Sequence, residues 1–227
     1  MSRRSALLLD RRGVLGAVGN FDEGFTSNPL PNYTRMSGFS AGNDPTYNAG
    51  PPGRLVYIAG SSSTGHFRTA KQSSLTDVLL KGCLVYSASA NVGGIVFYDP
   101  TGGGYWIQGS LQNISGQAYV SLSAGQNSSF GGAGLSVQNG PFTFPSAGTP
   151  YWITLGKVGN TFSCKWYNGD PDAGGVQQGT TASGSPSVTA WLTALGSGKK
   201  VAPGMMSQGG NSELRALAMN CPLINYP

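Results

Sequence analysis

Carboxylates, the groups a hydrolase would depend on, are sparse in this chain: its only glutamates are Glu23 and Glu213, far apart. Hydrolysis of a glycosidic bond ordinarily needs two carboxyls held a few ångströms apart, one as acid and one as base or nucleophile. Asp170 and Asp172 are close in sequence, but they sit in the turn Asn168-Gly-Asp-Pro-Asp172, where solvation is favoured over a shifted pKa. The same turn offers hard oxygen ligands without the spacing of a complete calcium loop. Asp170 and Asp172 are therefore weak calcium candidates, no other cofactor is expected, and a plain polar turn is the simpler reading. His66 is the sole histidine and stands among Ser and Gly, which reads as an ordinary loop residue and leaves a Ser/His/Asp triad without support.

Aromatic residues offer a different chemistry. The segment Tyr151-Trp-Ile-Thr-Leu-Gly-Lys-Val-Gly-Asn-Thr-Phe-Ser-Cys-Lys-Trp-Tyr167 has two alternating runs around Gly159-Asn160, the signature of a two-residue β-hairpin. Pairing Val158 with Thr161 puts Ile153, Leu155, Phe162, Cys164 and Trp166 on a core face, with Lys157 at its end. Trp152 then opposes Tyr167 on the other face, among Thr154, Ser163 and Lys165. Trp152 and Tyr167, with Tyr105 and Trp106 from another strand, are the candidates for a flat platform on which sugar rings stack. Cross-strand packing alone also accounts for the pair and is the simpler of the two readings.

These residues must be held by a β scaffold. Gly contributes 36 and Pro 14 of 227 residues, so turns are frequent, while 39% hydrophobic residues suffice for a core. From residue 54 onward, short apolar and β-branched runs alternate with Gly, Ser, Asn and Pro clusters. Strands are expected at 54–59, 77–87, 94–98, 105–110, 117–122, 135–138, 151–158, 161–167, 200–206 and 212–219; 187–195 fits a helix or a strand. The fold class expected is all-β, a two-sheet jelly-roll sandwich with an extended N-terminal arm. The domains are an anchoring arm over 1–53, the sandwich over 54–220 and a tail over 221–227.

Charge and cysteine usage narrow the function classes. Charged residues make up only 10% of the chain, against about 25% in average proteins, so the surface is built of Ser, Thr, Asn, Gln and Gly and suits permanent neighbours. Arg3, Arg4, Arg11 and Arg12 against Asp10 place +3 of the net +5 in the first twelve residues. The remainder is too weakly basic for a nucleic-acid groove. The arginine pairs alternate with apolar runs containing Leu8 and Leu15, a pattern suited to insertion into a groove of another protein. The arm is expected to be ordered by packing on other subunits or on its own domain. Cys83, Cys164 and Cys221 are widely spaced and odd in number, which predicts buried free thiols. The apolar runs near the N-terminus are too short for an export signal or a membrane span. Sequons at Asn32, Asn113 and Asn127 are coincidental in so polar a chain, and the Gly tracts lack the context of a phosphate loop.

Four segments together resemble the concanavalin A-like lectin/glucanase jelly roll, as found in laminin-G-like domains and in modules of bacteriophage surface proteins. They are Asp77-Val-Leu-Leu-Lys-Gly-Cys-Leu-Val-Tyr; Gly94-Ile-Val-Phe-Tyr-Asp with Tyr105-Trp-Ile-Gln; the Trp152 hairpin through Lys165-Trp-Tyr-Asn-Gly169; and Val201-Ala-Pro-Gly-Met-Met followed by Glu213-Leu-Arg-Ala-Leu-Ala. The likeness covers about residues 54–220 and has no counterpart for the arm. Glucanases of this family carry an acidic ExDxxE or ExDxE cluster, which this chain lacks. Together with the low charge, the Gly/Ser/Thr/Asn surface, the missing catalytic groups and the arm, the resemblance leads to the expectation of a non-enzymatic bacteriophage virion protein, assembled in the host cytoplasm and displayed on the particle as a head decoration, fibre or tail-surface module. Its expected partners are other virion proteins through the arm, copies of itself in a symmetric homo-oligomer with a trimer as the expected form, and a cell-surface glycan. The alternatives are a secreted carbohydrate-binding lectin module and a glycan-active enzyme of unusual chemistry.

Overall fold

The computed structural model describes residues 21–36, 39, 44–50, 53–86, 92–221 and 223–225. Three short strands come first: β1 (Asp22–Glu23), β2 (Tyr33–Arg35) and β3 (Thr46–Asn48). They are followed by β4 (Arg54–Thr69), β5 (Lys71–Ser73), β6 (Val78–Tyr86), β7 (Val92–Tyr98), β8 (Tyr105–Ile114) and β9 (Gln117–Gln126). The chain continues through β10 (Ser129–Phe130), β11 (Ser136–Thr143), β12 (Pro150–Val158), β13 (Thr161–Tyr167) and β14 (Gln177–Gly184). Helix α1 (Thr189–Leu195), β15 (Ala202–Met219) and β16 (Leu223–Asn225) complete it. Among the described residues no helix is long and apolar enough to cross a membrane.

All described sheet pairings are antiparallel, and the sheet curls on itself into a sandwich. One layer runs β14-β13-β12-β6-β15; the other runs from β15 through β7 and β8 to β9, with β10 and β11 paired to β9. Strand β15 belongs to both layers, since residues 202–208 pair with β7 and residues 212–219 with β6. Along its other edge it pairs with β4. The layers meet where Gly109 of β8 packs against Cys164 and Leu155.

The β12–β13 hairpin has the register its alternation predicts, from Val158 opposite Thr161 to Trp152 opposite Tyr167. Ile153, Leu155, Phe162 and Cys164 are wholly buried and Trp166 nearly so, while Trp152, Lys165 and Tyr167 are half-buried on the outer side. Lys157 is fully buried at the end of the core face, its ammonium donating to the Thr76 carbonyl, and burial lowers its pKa. All three cysteines are free and buried; burial pushes the Cys83 thiol up to about 11 and that of Cys164 to about 12.

Residues 54–69 and 202–219 each form one long bent strand, where the sequence predicts shorter runs broken at Gly and Ser. Pairing between the two strands carries the backbone through those small residues. The sequence reading left out β14, because Gln177–Gly184 has no apolar alternation. It is recruited by backbone bonds to β13 at the sheet edge. The ambiguous stretch 187–195 resolves as helix α1, which buries Trp191 and Leu195.

The boundary expected at residue 53 is not a seam. Strand β1 pairs with β15, β2 and β3 pair with β4, and Phe25 and Tyr33 enter the main core. Runs of two or three extended residues between prolines carry too little periodicity to register as strands. Residues 21–36 and 44–50 therefore pack on their own domain. The tail also joins the fold, with Cys221 buried and β16 paired to β5. Arg3, Arg4, Leu8, Arg11, Arg12 and Leu15 lie outside the described residues.

Candidate functional site

The four aromatic candidates do not converge. Trp152 and Tyr167 stand on the outer side of the β6–β12–β13 layer. Tyr105 and Trp106 are neighbours on β8, in the opposite layer, and successive strand residues point to opposite faces. Tyr105 packs edge-on against Trp191, with ring centroids 4.9 Å apart. Trp106 is 0% exposed, and its indole N–H donates to the Asn127 carbonyl at 2.8 Å. A single platform made of all four is thus excluded by the geometry.

Asp170 and Asp172 converge, but on an ammonium. Lys81 Nζ, from β6, donates to Asp170 Oδ1 at 3.0 Å and to Asp172 Oδ2 at 2.7 Å. Burial by itself would lower the Lys81 pKa; the hydrogen bonds and charges of Asp172 and Asp170 outweigh it and raise the pKa. One oxygen of each carboxylate meets the ammonium, and Asp170 Oδ1 also caps the turn by accepting from Asp172 N–H.

A stronger site lies on the outer face of the β4–β15–β7–β8–β9 layer. Cross-strand register sets residues side by side in rows across it. One row runs His66, Met206, Gly94, Ser110, Ser121, Gln138, and the next Arg68, Gly204, Val96, Gln108, Ser123, Ser136. His66 and Trp106 lie three strand spacings and four residues apart, about 14 Å by 13 Å on a flat sheet. Their ring centroids are nevertheless only 4.9 Å apart, so the sheet curls toward this face and makes it a groove. Two glycines let large rings lie flat along its wall. A Cβ on Gly125 would come within 2.2 Å of the Trp106 ring, and one on Gly204 within 2.4 Å of the Tyr98 ring.

His66 is not in a loop. It lies in β4, fully buried, and is bracketed by Phe39 stacked at 4.3 Å and by Trp106, Tyr98 and Phe130. Burial among these rings lowers its pKa to about 3, which keeps the imidazole neutral. Its Nδ1 shares a 2.7 Å hydrogen bond with the Tyr98 hydroxyl, and its Nε2 has no hydrogen-bond partner.

The groove floor repeats this condition. Gln108 donates through Nε2 to Ser123 Oγ at 2.7 Å, and its Oε1 is left unpaired, as is Ser110 Oγ. Turning the Gln108 amide over would only exchange which of its two polar atoms lacks a partner. Gln108, Ser110 and Ser121 are buried; Gln112, Tyr119 and Ser123 are half-buried, and Ser136 and Gln138 form an exposed rim. These unpaired atoms are enclosed in the fold, at a cost of about 1–3 kcal/mol each, so the groups this face offers to a ligand are the half-buried Gln112, Tyr119 and Ser123 and the exposed Ser136 and Gln138 around them. Five carboxylates are engaged elsewhere: Asp44 with Arg35, Asp77 with Gly159 N–H, Asp99 with Thr101 and Gly103, and Asp170 and Asp172 with Lys81. A cavity of about 590 Å³ lies beside β2 and is lined in part by Phe39, the ring stacked on His66; its charged groups Arg35 and Asp44 satisfy each other.

Sequence reasoning missed this groove, although its signal was present. Gln108, Ser110 and Gln112 alternate with apolar residues on β8, as Ser121 and Ser123 do on β9. The neutral side of each strand was read as ordinary surface.

Among solved structures, this fold is similar to the β-glucanase of Bacillus licheniformis, at 12% identity and a TM-score of 0.55, covering 91% of this chain and 100% of that one. It is similar to the carbohydrate binding module CBM66 from Bacillus subtilis, at 10% identity and a TM-score of 0.52, covering 81% and 92%. The CBM2 module of the evolved Dit from Lactobacillus casei BL23 phage J-1 aligns at 11% identity and a TM-score of 0.57, covering 91% and 96%. The chain has a concanavalin-like jelly-roll fold. Similarity to two GH43 proteins spans only 39% and 42% of those chains. No family model matches the sequence, and no curated protein does.

Proposed function

We propose that this chain is a non-catalytic carbohydrate-binding jelly roll displayed on a bacteriophage virion, with its N-terminal arm as the anchor. The observation that carries the binding reading is the run of neutral polar side chains, Gln112, Tyr119, Ser123, Ser136 and Gln138, that reach the surface along one curled sheet face. Sugars present many hydroxyls, each able to donate and accept, and side-chain amides and hydroxyls complement them without charge. A hydrolytic role would need an acid pair over the same groove, whereas Asp44, Asp77, Asp99, Asp170 and Asp172 are turned to other partners. The phage module of matching extent supports the virion setting, as does a surface poor in charge.

Substituting Gln112→Ala or Ser123→Ala is expected to weaken glycan-array binding on the order of tenfold, a typical effect for a contact near a site's centre, with native circular dichroism. Silence of the wild-type protein on a broad array, or equal binding by both variants, would refute the groove reading.

The anchor is tested by deleting residues 1–20, which leaves Phe25 and Tyr33 in the core. The truncated protein is expected to fold normally yet be missing from purified particles; normal incorporation would remove the arm from the proposal. A free lectin is the second reading, supported by the similarity to an isolated carbohydrate binding module. Recovery of the protein outside the particle fraction, with glycan binding intact, would favour it.

A further inference from the structure

We infer that the opposite layer carries a second carbohydrate contact, built on Trp152, Tyr167 and Lys81 with Asp170 and Asp172, so that the module grips glycan chains with two faces. Trp152 and Tyr167 are directly opposed across β12 and β13, and both are partly exposed. On the neighbouring strand β6, Lys81 stands opposite Thr154, and its Nζ lies 5.0 Å from the Trp152 ring centroid. The ammonium is fixed there by Asp170 and Asp172 from the loop after β13. That loop is itself tied down, with Asp170 accepting from Asp172 N–H and Asn168 Oδ1 accepting from Val176 N–H.

Rings, ammonium and carboxylates are thus held in one arrangement before any ligand arrives, which reduces the ordering cost of binding. Asp172, 77% exposed, keeps a carboxylate oxygen beyond the one that meets Lys81. A ring C–H face would lie against the aromatic pair, vicinal hydroxyls would donate to the carboxylates, and Lys81 and Lys165 would donate to sugar oxygens. Lys81 and Lys165 are balanced by Asp170 and Asp172, and Arg215 beside Cys83 adds one further cation; a face with so little net charge suits a neutral pyranoside with vicinal hydroxyls. This face is independent of the groove, because the two lie on the outer sides of opposite layers. A polymeric glycan that met both would gain avidity without any new contact.

Tryptophan exposure supplies a direct readout. Trp106, Trp166 and Trp191 are 0%, 5% and 7% exposed, so acrylamide reaches Trp152 ahead of the others. The full chain is titrated with a panel of soluble neutral polysaccharides: mannan, dextran, mixed-linkage β-glucan and galactan. At least one is expected to shield Trp152 from acrylamide. Retention of Trp152→Ala and of Tyr167→Ser in affinity gels containing that polysaccharide should fall on the order of tenfold, a loss of about 1.4 kcal/mol, with native circular dichroism. Equal retention of wild type and Trp152→Ala, or a panel in which nothing shields Trp152, overturns the second site. Failure of the groove alone looks different: Gln112→Ala is then retained like wild type while Trp152→Ala is not.

Discussion

Lowering the pH from 7 to 4 is expected to cost this fold about 3 kcal/mol through His66 alone. The imidazole is wholly buried, and its pKa falls to about 3 from an ordinary 6.5 because burial penalises the charged form. The unfolded chain therefore takes up a proton at His66 before the folded chain does. Stability from this residue is complete above about pH 6.5 and declines as the pH falls toward 3. The described neighbours of the ring are Phe39, Tyr98, Trp106 and Phe130, with no carboxylate to hold an imidazolium. Urea unfolding of wild type and His66→Gln at both pH values isolates the effect: the variant should lack this component of acid loss. An identical pH dependence for the two proteins would mean that the ring is not buried as described.

The second large effect is structural. Trp106→Ala is expected to destabilise the fold by about 3–5 kcal/mol, the range for truncating a buried Trp or Phe. The ring is fully buried, lies flat over Gly125, touches His66 and Phe130, and donates to the Asn127 carbonyl. Truncation opens a cavity under the groove wall and strips a hydrogen bond from the loop after β9. Chemical denaturation should show a lower midpoint with little change in slope. A loss below about 1 kcal/mol would indicate an exposed ring, since surface substitutions rarely exceed about half that value.

The β12–β13 hairpin was the most legible part of the chain, because a strict period of two and a two-residue turn together fix both register and face. The predicted core side chains Ile153, Leu155, Phe162, Cys164 and Trp166 are buried for that reason. Strand β14 was invisible because its place is set by backbone bonds to β13, which leave no mark on Gln and Thr side chains. His66 was misread because Ser, Thr and Gly around it suggest a loop, while its burial depends on rings from β7, β8 and β10 that are distant in sequence. The same applies to the groove: polar alternation on one strand looks like solvent-facing surface until curvature brings the strands together. Tyr105 and Trp106, adjacent in sequence, were grouped by type, although strand geometry sends them to opposite faces.

Strand β15 is the member common to both layers, and β1 is bonded along it, with Met219 N–H donating to the Phe21 carbonyl and Phe21 N–H to that of Cys221. A mechanical load arriving ahead of Phe21 is handed directly to that shared strand. Tension would be divided between the two halves of the sandwich, which would have to yield together instead of peeling apart one at a time.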